Sequence, residues 1–289
     1  MAVKLQTLRD IRNHLLSELS ELYSEKESET ISDIIISKIY KINRTEYLLS
    51  KDEIISDSKK RELVYRFCSD LKTGKPLQYV TGETLFYNCI IRVNKGVLIP
   101  RPETEELADL IVKENRGFEG RITDVGTGSG CIAIALAANI PLAKVTATDI
   151  SAVAIKTAVN NALLNKVRVS FIKADIFNAV PPAILNTDIL VSNPPYVLYS
   201  EKQFMKKNVL NFEPSRALFV PDNDPLKFYR GILLSADQIL NPGGTVYFEI
   251  NERMGRQVHD LFELHRYYPI KVIKDINGKD RIVKGLKYE

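Results

Sequence analysis

After residue 120 the sequence alternates regularly between short β-branched runs and longer helical segments. The predicted strands and helices of this region follow one another as Arg121–Val125, Cys131–Asn139, Lys144–Thr148, Ser151–Asn165, Val167–Lys173 and Asp188–Ser192. Strands that are separated by helices pair in parallel, because the helical crossover returns the chain to the same end of the sheet. We therefore predict an α/β fold with a doubly wound, mostly parallel sheet that carries helices on both faces.

Residues 1–80 have a different pattern and predict a small helical domain. Apolar side chains recur at three- and four-residue spacing in two stretches, which are Leu8, Ile11, Leu15 and Leu19, and then Ile31, Ile34, Ile35 and Ile39. This spacing gives a helix one apolar face. We predict a helical bundle over 1–80, a linking β-hairpin over 81–99 with its turn at Asn94-Lys95-Gly96, and the α/β domain over 100–289.

Composition excludes several functional classes. The 40 Lys and Arg residues exceed the 36 Asp and Glu residues by only four, which is too small a surplus for stable nucleic-acid binding. The three cysteines (Cys68, Cys89 and Cys131) lack metal-ligand spacing, so we predict free thiols, a reducing compartment and no metal site. Neither an apolar run of membrane-spanning length nor a signal peptide is present, and we expect a cytoplasmic protein that binds no membrane.

A glycine loop follows the first strand of the predicted sheet. Its sequence is Asp124-Val-Gly-Thr-Gly-Ser-Gly130, and a helix begins directly after it. Glycines in such a loop let the backbone pass close to a ligand, and the N-terminus of the helix faces that ligand. The candidate cofactor-binding residues here are Asp124, Gly126, Thr127, Gly128, Ser129 and Gly130.

Acidic residues also end the next two strands. Asp149 ends the second strand, where a carboxylate can accept from both hydroxyls of a ribose. Asp175 ends the third, where it can accept from an adenine amino group while Ile176 covers the adenine face. A pyrophosphate is doubly anionic and would be repelled by Asp124, whereas an ammonium group would be attracted. The pattern favours S-adenosylmethionine over a dinucleotide.

The motif Asn193-Pro-Pro-Tyr196 directly follows the strand that ends at Ser192. The two prolines hold Asn193 out of the helical region and stiffen the turn. The side-chain oxygen of Asn193 and the backbone oxygen of Pro194 can then accept both hydrogens of a substrate NH₂ group, and Tyr196 offers a flat face to a planar amide or base. We predict Asn193, Pro194 and Tyr196 as catalytic residues and include Pro195 in the substrate site.

These motifs together resemble the class I S-adenosylmethionine-dependent methyltransferases that modify planar NH₂ nitrogens. More closely, the chain resembles the peptide chain release factor glutamine methyltransferases, the HemK/PrmC family. The supporting segments are Gly74-Lys-Pro-Leu-Gln-Tyr-Val-Thr-Gly82, Val97-Leu-Ile-Pro-Arg-Pro-Glu-Thr-Glu105, Asn211-Phe-Glu-Pro-Ser-Arg-Ala-Leu218, Phe228-Tyr-Arg230 and Asp280-Arg281. The resemblance covers residues 74–284 in order and implies a Rossmann-like methyltransferase sheet.

The resemblance also implies roles and partners. Phe86 would lie near the reacting methyl group, Asn193 would contact both cofactor and substrate, and Pro100, Arg101 and Glu103 would line the substrate side. The expected reaction is methylation of the glutamine amide in the Gly-Gly-Gln loop of release factors. The N-terminal helical domain would recognise the body of that substrate, and we expect a monomer.

Three alternatives remain open from the sequence. The substrate can instead be a glutamine of a ribosomal protein, or an exocyclic amine of a DNA or RNA base, and the chain can bind the cofactor without catalysis. The sequence also departs from the usual family pattern at Asp224-Pro225, Asn251 and Met254, where the family has Asp-Gly, Gly and a later Gln. These departures put local loop structure and substrate fit in question.

Overall fold

The computed structural model of the protein describes residues 5–288, which fall into two units. The first unit comprises the chain up to Gly82 together with Lys207–Phe212. The second comprises Glu83–Lys206 and the chain from Glu213 onward. Within the described range, no helix combines the length and apolar character that crossing a membrane requires.

The first unit is helical, as its apolar spacing predicts. Its helices are α1 (Leu8–Leu19), α2 (Glu25–Tyr40), α3 (Arg44–Ser50), α4 (Ser58–Lys72) and α5 (Leu77–Thr81). Thr7, Ser24 and Asn43 begin the first three helices with capping boxes, in which each side chain accepts from a backbone N–H of the first turn. The predicted apolar faces of α1 and α2 form the core, except that Ile34 is 41% exposed.

The second unit begins with the predicted hairpin, but the turn lies elsewhere. Strands β1 (Glu83–Phe86) and β2 (Cys89–Arg92) are antiparallel, with Phe86 opposite Cys89. The connecting residues, Tyr87 and Asn88, both have positive φ angles, as a tight two-residue hairpin turn requires. The predicted hairpin turn at Asn94-Lys95-Gly96 is therefore wrong. That tripeptide forms a separate turn in which Val97 N–H donates to the Asn94 carbonyl.

The main sheet of the second unit contains seven strands in the order β10-β11-β9-β6-β3-β4-β5. The first part of this unit contains α6 (Pro102–Glu114), β3 (Arg121–Val125), α7 (Cys131–Asn139), β4 (Lys144–Asp149), α8 (Ala152–Leu164), β5 (Val169–Lys173) and β6 (Thr187–Ser192). Strands β5, β4, β3, β6 and β9 run parallel to one another, and β11 pairs antiparallel with both β9 and β10. The prediction of a doubly wound, mostly parallel sheet is confirmed.

The remaining elements of the chain come after β6. They are β7 (Val197–Leu198), α9 (Lys207–Phe212), β8 (Phe219–Val220), α10 (Lys227–Ile239), β9 (Leu240–Glu249), α11 (Gly255–Leu264), β10 (Tyr267–Lys274) and β11 (Asp280–Lys287). Helix α9 belongs to the first unit. Buried side chains of α10 and α11 pack with those of β6 and β9 in one apolar cluster, which holds the carboxyl ends of these strands in place.

Candidate active site

A cavity of about 270 Å³ lies in the second unit, at the carboxyl ends of the parallel strands. Its lining includes residues that follow β6, β3, β4 and β5, which are neighbours in this order in the sheet. The chain proceeds from β3 to β4 and β5 on one side and returns to β6 on the other. Open α/β sheets bind ligands at such a reversal, because the loops on the two sides diverge and leave a crevice.

The glycine loop lies against this cavity. Gly126 and Gly128 line it and have φ angles of 74° and 56°, which glycine adopts without strain. A Cβ atom added at either residue would meet no atom within 4 Å, so the space above the loop is open to a ligand. Gly130 has a different role, because a Cβ there would lie 2.9 Å from Ala158 Cβ on α8.

Asp149 and Asp175 both line the cavity at adjacent strand ends, as the sequence predicts. The two carboxylate oxygens of Asp149 accept from the backbone N–H groups of Gly128 and Ser151, at 2.9 and 2.8 Å. Each oxygen retains a second lone pair for a ligand hydroxyl. Asp175 accepts from Phe177 N–H, and its neighbour Ile176 lines the same cavity.

Asp124 lies behind the loop and is 0% exposed. Burial raises the pKa of its carboxyl group to about 7, a nearby Asp149 raises it as well, and the hydrogen bond from Thr127 lowers it. Within residues 5–288, Asp124 Oδ1 and Thr148 Oγ1 are buried without hydrogen-bond partners. Two unpaired polar atoms beside an open glycine loop fit a ligand that carries polar and cationic groups.

The predicted Asn-Pro-Pro corner enters the same cavity from the other side. Asn193, Pro194 and Pro195 all line it, directly after β6. Asn193 Nδ2 donates to Thr104 Oγ1 over 2.9 Å. Because the amide nitrogen is engaged there, the amide oxygen is the atom that remains for a ligand.

Tyr196 takes a different position from the one its motif suggests. It is not among the cavity-lining residues, and its hydroxyl donates to Glu249 Oε1 over 2.8 Å. Glu249 is 0% exposed at the end of β9, and its other carboxylate oxygen accepts from Thr104 over 2.6 Å. Burial raises the pKa of Glu249, whereas the hydrogen bonds from Thr104 and Tyr196 and the charge of Arg281 lower it. Burial and the adjacent Glu249 raise the pKa of the Tyr196 hydroxyl well above its usual range.

Asn251, one of the residues at which the sequence departs from the usual family pattern, also contacts this corner. Asn251 Nδ2 lies 3.3 Å from the backbone oxygen of Tyr196 and 3.1 Å from Glu201 Oε2. Its own side-chain oxygen accepts from Arg253 N–H. A glycine could make none of these side-chain contacts, so this chain holds the residue after the prolines in its own way.

The other predicted site residues are close in sequence to the cavity but do not line it. They are Phe86, Pro100, Arg101, Glu103, Asp124, Thr127, Ser129 and Gly130. Phe86 is buried in β1, and Arg101 forms an ion pair of 2.6 Å with Glu213. Glu213 also accepts from Ile99 N–H, so these contacts join the segment before α6 to the segment that contributes Pro214 to the cavity.

Several cavity residues escaped the sequence reasoning. They include Gly96, Val97, Leu98, Phe177, Arg216 and Phe228. Phe177 directly follows Ile176, and its ring centre lies 6.0 Å from that of Phe228. An aromatic residue directly after Ile176, which is predicted to cover the adenine, was the available signal for Phe177. Val97, Leu98, Arg216 and Phe228 belong to segments that support the family resemblance, but nothing in those segments indicates that they reach the cavity.

Two family models match the chain. The PrmC N-terminal domain matches residues 10–82, and the methyltransferase small domain matches residues 103–212. A release factor glutamine methyltransferase of Bacteroides thetaiotaomicron is 44% identical over 276 residues, which are 94% of this chain and 98% of the relative. The chain belongs to the release factor glutamine methyltransferase family. The family member of Flavobacterium psychrophilum is 42% identical over 96% of this chain and 98% of its own length.

A solved structure supports the fold of this family member. A methyltransferase from Pyrococcus furiosus matches 81% of this chain and 100% of its own, with a TM-score of 0.52 and 19% identity. At that identity the likeness concerns the fold alone. The assignment to the release factor glutamine methyltransferases confirms the resemblance drawn from the glycine loop and the Asn-Pro-Pro-Tyr motif.

Proposed function

We propose that this protein transfers a methyl group from S-adenosylmethionine to the side-chain amide nitrogen of the glutamine in the Gly-Gly-Gln loop of translation release factors. The observation that carries this proposal is that Asn193 and Pro194 line the same cavity as the glycine loop and Asp149. The proposed site for an NH₂ group and the proposed site for a nucleoside would thereby be next to each other. Family membership supports both the reaction and the substrate.

The cofactor would extend along the carboxyl edge of the sheet. Asp149 would accept from the ribose hydroxyls, and Asp175 and Ile176 would hold the adenine. Gly126 and Gly128 would let the backbone approach the methionine part, and the Asp124 carboxylate, once ionised, would attract its ammonium group. When bound, the cofactor supplies an electrophilic methyl group on a positively charged sulfur.

The protein's task is to position a poor nucleophile. An amide nitrogen is unreactive because its lone pair is delocalised into the carbonyl group. Asn193 Oδ1 and the Pro194 carbonyl oxygen would accept hydrogen bonds from the two N–H groups of the substrate amide. These hydrogen bonds would fix the orientation of the amide nitrogen and stabilise the positive charge that the nitrogen acquires. Because the prolines restrict the corner, these acceptors need little rearrangement when the substrate enters.

The helical first unit would recognise the body of the release factor. This part of the proposal rests on the match of residues 10–82 to the PrmC N-terminal domain. One loop glutamine offers little contact area, and specific protein recognition needs a larger surface. A whole release factor should therefore have a much lower KM than a short Gly-Gly-Gln peptide.

The test is to incubate the purified protein with methyl-labelled cofactor and a release factor, and to map the added methyl group by mass spectrometry. Asn193→Ala should lower kcat by about 100-fold or more, as loss of a transition-state contact does, and leave the cofactor Kd nearly unchanged. Asn139→Ala, at the exposed end of α7, is the matched control and should retain full kcat. A label on another residue or on nucleic acid would refute the proposed substrate.

A further inference from the structure

We propose that Glu249 is a positioning residue, which acts through the hydroxyl of Thr104 to hold the Asn193 amide with its oxygen toward the cavity. This inference rests on the proposed function and names a group that touches neither cofactor nor substrate. The three side chains form a chain of hydrogen bonds, from Asn193 Nδ2 to Thr104 Oγ1 over 2.9 Å and from Thr104 Oγ1 to Glu249 Oε2 over 2.6 Å. We call this set the Glu249 relay.

The direction of the relay follows from the number of donors and acceptors. An ionised carboxylate can only accept, so Thr104 must donate its single hydroxyl proton to Glu249. Toward Asn193, the hydroxyl then has only a lone pair to offer. The Asn193 amide must therefore turn its NH₂ group to Thr104. The oxygen is left as the cavity-side acceptor, as the proposed reaction requires.

An Asn193 amide with its oxygen and nitrogen exchanged would make unfavourable contacts both with Thr104 and in the cavity. Asn193 Oδ1 would face the lone pairs of Thr104 Oγ1, and two acceptors at hydrogen-bond distance repel each other. The NH₂ group would then face the cavity, where the substrate amide also presents hydrogens. Oxygen and nitrogen of an asparagine amide have nearly the same shape, so hydrogen-bond partners decide its orientation. Thr104 is the partner that decides it here.

Glu249 has the surroundings of a fixed acceptor. It is 0% exposed, and its second oxygen accepts from the Tyr196 hydroxyl over 2.8 Å. One carboxylate thus holds both ends of the Asn193–Tyr196 corner. Burial raises the pKa of Glu249, and the hydrogen bonds from Thr104 and Tyr196 together with the charge of Arg281 oppose this rise. Thr104 is buried on α6, so water does not compete for its hydroxyl.

The test replaces the Thr104 hydroxyl with a methyl group of similar size, so that the side chain keeps its shape. Thr104→Val should lower kcat for release-factor methylation by about 10- to 100-fold, as loss of orientation does, with little change in KM or cofactor Kd. Thr104→Ser keeps the hydroxyl and should restore most of kcat. Thr123→Val is the matched control, because Thr123 is a buried threonine bonded to the Thr187 hydroxyl within the same unit, outside the cavity. It should lose stability without losing kcat.

A second variant covers the case in which Thr104→Val does not fold. Glu249→Gln keeps the size of the side chain, but its Nε2 can donate to Thr104, which then turns its proton toward Asn193. The amide should reverse in part of the molecules, and kcat should fall at unchanged cofactor affinity. Wild-type kcat in folded Thr104→Val, or in Glu249→Gln, would overturn the positioning role.

A readout without turnover separates this inference from the proposed function. The side-chain NH₂ signal of Asn193 can be assigned in a ¹⁵N spectrum by its loss in Asn193→Asp. It should shift in Thr104→Val and stay in place in Thr123→Val. An unshifted signal in Thr104→Val would overturn the relay itself. Wild-type protein that methylates no release factor, with the expected shift present, would instead refute the proposed function and leave the hydrogen-bond relay established.

Discussion

The buried carboxyl group of Asp124 should make the ligand-free protein less stable as the pH rises. Burial raises its folded-state pKa from 3.8 to about 7. Between these values the folded protein holds a proton that the unfolded chain has lost, so the free energy of unfolding falls with increasing pH. Between about pH 5 and about pH 8, the pH crosses about two units in which only the folded state holds this proton. At about 1.4 kcal/mol per pKa unit, the free energy of unfolding falls by roughly 3 kcal/mol.

Asp124→Asn removes this titration, because the amide is neutral throughout. The variant should gain about 3 kcal/mol of stability relative to the wild type between about pH 5 and about pH 8. Its amide nitrogen, in the place of the unpaired Oδ1, lowers its stability by about 1–3 kcal/mol at both values and cancels from the comparison. Urea unfolding of both proteins at the two pH values measures the difference.

The cofactor gives the same prediction a second readout. A bound cation near Asp124 favours the ionised carboxylate, so binding near pH 7 should release protons from the wild type. Calorimetry in two buffers of different ionisation enthalpy counts them, and Asp124→Asn should release fewer and bind more weakly. Equal pH dependence of stability in the two proteins, together with equal proton release, would refute the reasoning from burial.

Two further substitutions test contacts around the cavity. Asp149→Ala removes the proposed acceptor of the ribose hydroxyls and leaves the N–H groups of Gly128 and Ser151 without their acceptor. The cofactor Kd, measured by calorimetry, should therefore rise by about 10-fold or more. An unchanged Kd would contradict the ribose role. Arg101→Ala leaves the carboxylate of Glu213, whose side chain is 1% exposed, without its cation, and unfolding should become easier by about 3 kcal/mol. Adding Glu213→Gln should recover part of that loss, and no recovery would show that the ion pair is not the cause.

Much of the fold could be predicted because its signals are local. The Arg121–Val125 strand and the Cys131–Asn139 helix have the predicted bounds, since their apolar patterns are short and their ends are marked by glycine and proline. The hairpin turn was misplaced because Asn94-Lys95-Gly96 has typical turn residues, whereas Tyr87-Asn88 adopts positive φ angles with no glycine. Turn propensity alone does not tell which of two nearby turns reverses a strand.

The local pattern of residues is enough to predict the parallel sheet, the glycine loop, the acids at the strand ends and the Asn-Pro-Pro-Tyr motif, because each depends on neighbours within a few residues. The direction in which these groups face depends on contacts between distant parts of the chain. Asn193 is hydrogen-bonded to Thr104, which lies 89 positions earlier in the chain. Thr104 is in turn hydrogen-bonded to Glu249, which lies 145 positions later. Such contacts depend on how α6 packs against β6 and β9, and local periodicity carries no information about that packing.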